Sequence, residues 1–298
     1  MRLSSVCVAA LGAVFVVGLL PGLYAQAELA QPGLQVVGEV GDYNVAISIH
    51  TLVFAGAMPL IGIALALAVI AEARESRIAR IGALAALAGA ALRTIALGEW
   101  TLHPTSMSDA LMRSMKPPDL LMLAQAIAGL AALVLVAVMA RRRRAPAVIF
   151  AILSGIATLL AAMMQVVLLG SGVDHALHDT YYVLGAEHQA GVAVVLNILG
   201  ALSVWSMRWE GLKRTWYSLV AGIATVAAGL LVSVADGALG IMGMPLKYVD
   251  YTPQFAAQHA FVAVNSIAFA AVLAASLIWL AILTLLARKP PGVETAFE

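Results

Sequence analysis

The sequence predicts an all-α fold, a polytopic bundle of about eight transmembrane helices. Hydrophobic residues make up 62% of its 298 residues, charged residues only 11%, and mean hydropathy is +0.97. A soluble domain carries about 25% charged residues, so this chain has too few to cover a water-facing surface. Apolar runs recur at the length of ~20 residues that crosses about 30 Å of hydrocarbon. Lysines and arginines fall between these runs, and mostly on one side.

The runs lie near 4–24, 45–70, 80–98, 118–140, 146–170, 181–206, 215–235 and 258–287. Residues 1–288 read as one membrane domain and 289–298 as a loose inner tail. The first run has Arg2, an apolar core and Ala25-Gln26-Ala27, which also fits a cleaved signal peptide. A retained helix is the expectation.

Orientation follows from the loops. With the N-terminus inside, the inner segments hold Arg2, Arg74, Arg77, Arg80, Arg141 to Arg144, Arg208, Lys213, Arg214, Arg288 and Lys289. The outer loops hold Arg113, Lys116 and Lys247, and Arg93 lies within the third run. The thirteen-to-three split is a positive-inside signal. It places both termini inside a membrane of the bacterial inner (cytoplasmic) type. The Arg141–Arg144 run reads as a topology anchor, so lipid and not nucleic acid is the expected partner. Cys7 stands alone, which excludes a disulfide framework and a cysteine-based metal cluster.

Polar residues inside spans are costly and suggest function. His50 lies about five residues into the second run and His188 about seven into the sixth, both from the outer end. At 1.5 Å per residue both sit roughly 8–11 Å deep. Two imidazoles at one depth on two helices are suited to hold an iron porphyrin, and small residues around each leave room for a flat ring. Hydrogen bonding between helices by neutral histidines is the other reading. Met163 and Met164 read as core filler.

Four segments add a family resemblance. His178-Asp179-Thr180-Tyr181-Tyr182-Val183 resembles the motif opening the tenth helix of cytochrome c oxidase subunit I, of the haem–copper oxidases. Ala27 to Gly33, then Tyr43-Asn44-Val45 and His50, resemble that family's passage from helix one to helix two. Gly243 to Tyr251 resembles the loop between its last two core helices, and Trp100-Thr101-Leu102-His103-Pro104 the end of its third. The resemblance covers helices one to four and nine to twelve of that family. It implies that helices five to eight, which carry the copper-binding histidines, are missing.

The resemblance also implies which haem is kept. The family's high-spin ligand falls on Ala186 and its two low-spin ligands on His188 and His50. The implied protein is a cytochrome with one low-spin, bis-histidine haem b and no copper. Haem b is favoured over haem a because the family's formyl-contacting arginine falls on Gln26. Trp100 and Lys247 align with propionate partners. His178 and Asp179 align with an outer magnesium site, with a helix cap or a bond to a propionate as the plain alternative, and Glu28 and Gln31 align with a peripheral cation site.

Glu187 falls between the family's two haem positions. It is a candidate for coupling protons to haem redox or for binding a quinol hydroxyl, with a bond to a neighbouring helix as the plain alternative. Arg93 is expected to pair with Glu187 or Asp236 or to face the protein interior, and His259 to bond a quinone or nothing in particular. The leading functional expectation is an electron-transfer subunit, not an enzyme on its own. Its partners would be a periplasmic dehydrogenase or cytochrome c. The alternatives are a cytochrome with its own quinone site and a haemless structural or assembly subunit.

Overall fold

The structure, a computed structural model, describes residues 2–30, 49–50, 52–102, 119–139, 145–169, 177, 180–206, 214–245, 260, 263–275 and 277–278. Among them the protein is an all-α polytopic membrane bundle. Its helices are α1 (Leu3–Ala30), α2 (Met58–Arg74), α3 (Arg77–Leu102), α4 (Asp119–Met139), α5 (Ala145–Leu169), α6 (Tyr181–Ser206), α7 (Arg214–Ile241) and α8 (Ala263–Ala275). All but α2 and α8 are long and apolar enough to cross a bilayer. The second apolar run is divided: a π-helical turn, Leu52–Ala57, leads into α2. Pro59, in the first turn of α2, explains the break. It has no N–H to donate backwards, so the ladder loosens into the wider π form just before it.

Burial ranks the helices. α6 is buried over 94% of its apolar stretch, whereas none of the other five crossing helices exceeds 44%. α6 is therefore the axis of the bundle, with α2, α4, α5 and α7 packed around it. The outward faces carry apolar side chains such as Ile78, Leu92, Val138 and Val166, as a lipid-facing surface requires. Met163 belongs to that surface at 57% exposure, so the expectation that it fills the core is corrected; Met164 packs beside Leu168 and Tyr182.

Lipid tails are as apolar as leucine, so association rests on close packing and interhelical hydrogen bonds. α6 makes such bonds to four neighbours. Asn197 Nδ2 donates to the Ala126 carbonyl of α4 at 3.0 Å, and Ser154 Oγ of α5 donates to Asn197 Oδ1 at 2.8 Å. Gln189 Nε2 donates to the Ala157 carbonyl of α5, and Ser233 Oγ of α7 donates to Gln189 Oε1 at 2.6 Å. At the other end of α6, Trp205 Nε1 donates to Ser4 Oγ, while the backbone N–H and hydroxyl of Ser4 donate to Glu72 of α2, each at 2.8 Å. The chain turns from α2 into α3 through Glu75, in the left-handed region at φ 51°, and Ser76, whose hydroxyl accepts from the Ala79 N–H. Arg74, Arg77 and Arg80 are all exposed at this turn.

Asn197→Ala strips both bonds of that amide and is expected to cost about 1–2 kcal/mol. Ser154→Ala should cost about half as much. Unfolding by sodium dodecyl sulfate in mixed micelles measures both, and an unchanged midpoint for Asn197→Ala would show that the network adds nothing to packing.

Candidate functional site

The site begins where α6 and α7 touch backbone to backbone. A Cβ on Gly185 would lie 2.8 Å from the Ser233 carbonyl oxygen and 2.9 Å from the Gly237 nitrogen, too close for any other residue. Gly240 likewise faces the Tyr182 backbone. Small residues at Gly229, Ser233 and Gly237 repeat every fourth position along α7, the spacing of close membrane helix pairs. One turn beyond Gly185, this approach sets His188 beside Asp236. His188 Nδ1 lies 2.6 Å from Asp236 Oδ2, and the Asp236 side chain is fully buried. A carboxylate oxygen accepts, so Nδ1 carries the proton and Nε2 keeps its lone pair.

His50 is held from the other side. Its Nδ1 donates to the Gly18 carbonyl of α1 at 3.0 Å. Pro21, inside α1, has no N–H for the helical ladder and opens this turn. Gly22 lies against the imidazole, and a Cβ there would overlap Nδ1. The Phe54 ring, on the π-helical turn, covers the His50 ring at 4.7 Å between centroids, and Phe15 of α1 meets Phe54 edge-on at 6.0 Å. A π-helical turn directly after His50 is a common mark of functional positions. Here too a carbonyl accepts, which leaves the Nε2 lone pair of His50.

Both imidazoles line one cavity. Its walls come from α1, the π-helical turn, α2, α4, α6, α7 and α8, and they are largely apolar: Phe15, Met58, Met122, Leu184, Val232 and Phe269 among them. Gly22, Gly191 and Gly229 supply the positions without side chains. Glu187 and Ser266 are polar members of the wall, and Ser266 Oγ has no hydrogen-bond partner among the described residues. The described residues hold no cluster of three or more His, Cys, Asp or Glu suited to a bare metal ion. The donor set fits a flat metal macrocycle instead. Each Nδ1 is engaged by a fixed acceptor, and two Nε2 lone pairs remain on helices that enclose an apolar space. Metal-bound histidines characteristically have their other ring nitrogen held in this way.

Other sequence candidates fall elsewhere. Arg93 is half-buried on α3, which packs on α2 and the π-helical turn. The Asp236 carboxyl is bonded to His188. Trp100, Gln26 and Glu28 lie in the last turns of α3 and α1, with side chains outside the described residues, as are Gln31, His178, Asp179, Lys247 and His259 altogether. Sequence reasoning missed Asp236 as the partner of His188. It expected the seventh run to end at residue 235, whereas α7 continues to Ile241. An acidic residue inside an apolar helix was the available signal.

No family model matches the chain. A relative, cytochrome c oxidase polypeptide 1 of Halobacterium salinarum, is 33% identical over 136 residues. The match covers 41% of this chain and 21% of that protein, so the chain spans about a fifth of the relative's length. This multi-pass membrane protein is therefore similar, over part of its length, to a cytochrome c oxidase subunit I.

Proposed function

We propose that the chain is a membrane cytochrome that holds one low-spin haem b between His50 and His188. It serves as an electron-transfer subunit of a respiratory or dehydrogenase complex. The observation that carries this reading is the pair of histidines on one cavity, each with Nδ1 engaged and Nε2 remaining. The partial similarity to an oxidase subunit supports it. When bound there, haem would supply one-electron transfer. His50 and His188 would bind the iron, the Gly18 carbonyl and Asp236 orient their rings, and the apolar wall excludes water. On this reading Ala186 supplies no third iron ligand and the chain holds no copper. The arginines at the α2–α3 turn would face the inside of a bacterial inner membrane, which sets the histidines nearer the outer side, where a periplasmic dehydrogenase or cytochrome c would be the partner.

A quinone site in the same cavity is the second reading. The observation that favours it is the presence of Glu187 and the unpartnered Ser266 hydroxyl on the wall. Quinone recovered with the purified protein, or haem reduced by a quinol analogue, supports that reading; neither result leaves electron transfer alone.

A reduced-minus-oxidised spectrum of the purified protein is expected to show one haem b per chain, with sharp low-spin bands indifferent to carbon monoxide. Absence of haem overturns the proposal. His188→Ala and His50→Ala should each remove the low-spin bands and open the iron to carbon monoxide; a full low-spin spectrum in either variant rejects that ligand. Gly22→Ala pushes a methyl group into the His50 ring and is expected to weaken haem retention about 10- to 100-fold. Haem titration of the apoprotein reads this, and wild-type affinity would show that His50 does not need its seat.

A further inference from the structure

The two histidines are not held alike. His50 donates to a neutral backbone carbonyl at 3.0 Å, and His188 donates to a side-chain carboxyl at 2.6 Å. That carboxyl is fully buried, and its second oxygen, Oδ1, has no hydrogen-bond partner among the described residues. Nothing else described shares the load on Asp236. Its position is fixed by the backbone contact of α6 and α7 at Gly185, whose missing Cβ would also crowd Asp236 Cβ at 3.3 Å.

We propose that Asp236 is a positioning residue that makes His188 the stronger of the two iron ligands. The inference rests on the haem reading above. Hydrogen bonds to ionised acceptors are shorter and about twice as strong as neutral ones. A carboxylate on Nδ1–H draws the proton away, raises the electron density at Nε2 and fixes the tautomer and ring direction. A ligand richer in electron density favours the oxidised iron, so Asp236 lowers the reduction potential of the site. The Gly18 carbonyl does this only weakly for His50. The site is therefore asymmetric, and its potential is set from the α7 side.

The test is a redox titration of the purified haem-loaded protein against Asp236→Asn. Asparagine keeps an oxygen to accept from Nδ1–H but removes the charge, so a purely structural role is preserved. At a fixed ambient potential the reduced-to-oxidised ratio is expected to rise, a tenfold rise corresponding to about 59 mV for one electron. Asp236→Glu should move it back towards wild type. An unchanged midpoint in a haem-loaded Asp236→Asn protein overturns the proposal. Should that variant lose its haem, the wild-type protein alone decides. Electron–nuclear double resonance of the oxidised, ¹⁵N-histidine-labelled protein should show two unequal Nε2 couplings, and equal couplings overturn it. A wild-type protein with no haem overturns the haem reading and this inference together; a low-spin haem with an unmoved midpoint overturns this inference alone.

Discussion

The close approach of α6 and α7 is the constraint on which the rest depends. Each side chain larger than hydrogen at Gly185 or Gly240 would force the two backbones apart. In lipid there is no hydrophobic force to restore that contact. The seam carries two polar bonds of different character, Ser233 to Gln189 inside the packing and His188 to Asp236 at the cavity edge. Separating the backbones by even an ångström would break both. The central burial of α6 follows as well, because a helix enclosed on nearly every side needs at least one neighbour without bulk.

The bundle separates what fastens it from what the cavity needs. At the Ser4 end, Ser4, Glu72 and Trp205 fasten α1, α2 and α6. Deeper along α6, Asn197 and Ser154 join α4 and α5 to it. At the opposite end of α6 the walls are aromatic and apolar, and polar atoms are few. A wall of Phe15, Phe54 and Phe269 makes the local dielectric low, where a single carboxyl or carbonyl has a large influence.

Much of this was legible in the residues, and for unequal reasons. The class of fold follows from composition and run length, because lipid imposes helices on any spanning chain. His50 and His188 stand out since each is a polar residue in an apolar run, and their common depth and the family resemblance both link them. Their partners were hidden. The Gly18 carbonyl belongs to the backbone and leaves no trace in residue type. Asp236 stands one residue beyond the expected end of the seventh run, whereas α7 continues to Ile241. Both proline signals, Pro21 and Pro59, were present in the sequence, but a proline does not say which neighbouring carbonyl it exposes or which way a helix widens. The breadth of the α6–α7 contact was visible only as a set of glycines, whose spacing has meaning once the partner helix is known.

The π-helical turn between His50 and α2 carries a consequence for how this segment can vary. A π turn holds one residue more than the α-helical path it replaces. That extra residue is taken up locally, so the segments on either side keep the facing that a regular α-helix one residue shorter would give them. In a helix without such a turn, each added residue rotates what precedes it by about 100° around the axis. The wide turn therefore uncouples the number of residues in this span from the direction in which His50 faces, and it places Phe54 over the His50 ring at the same time.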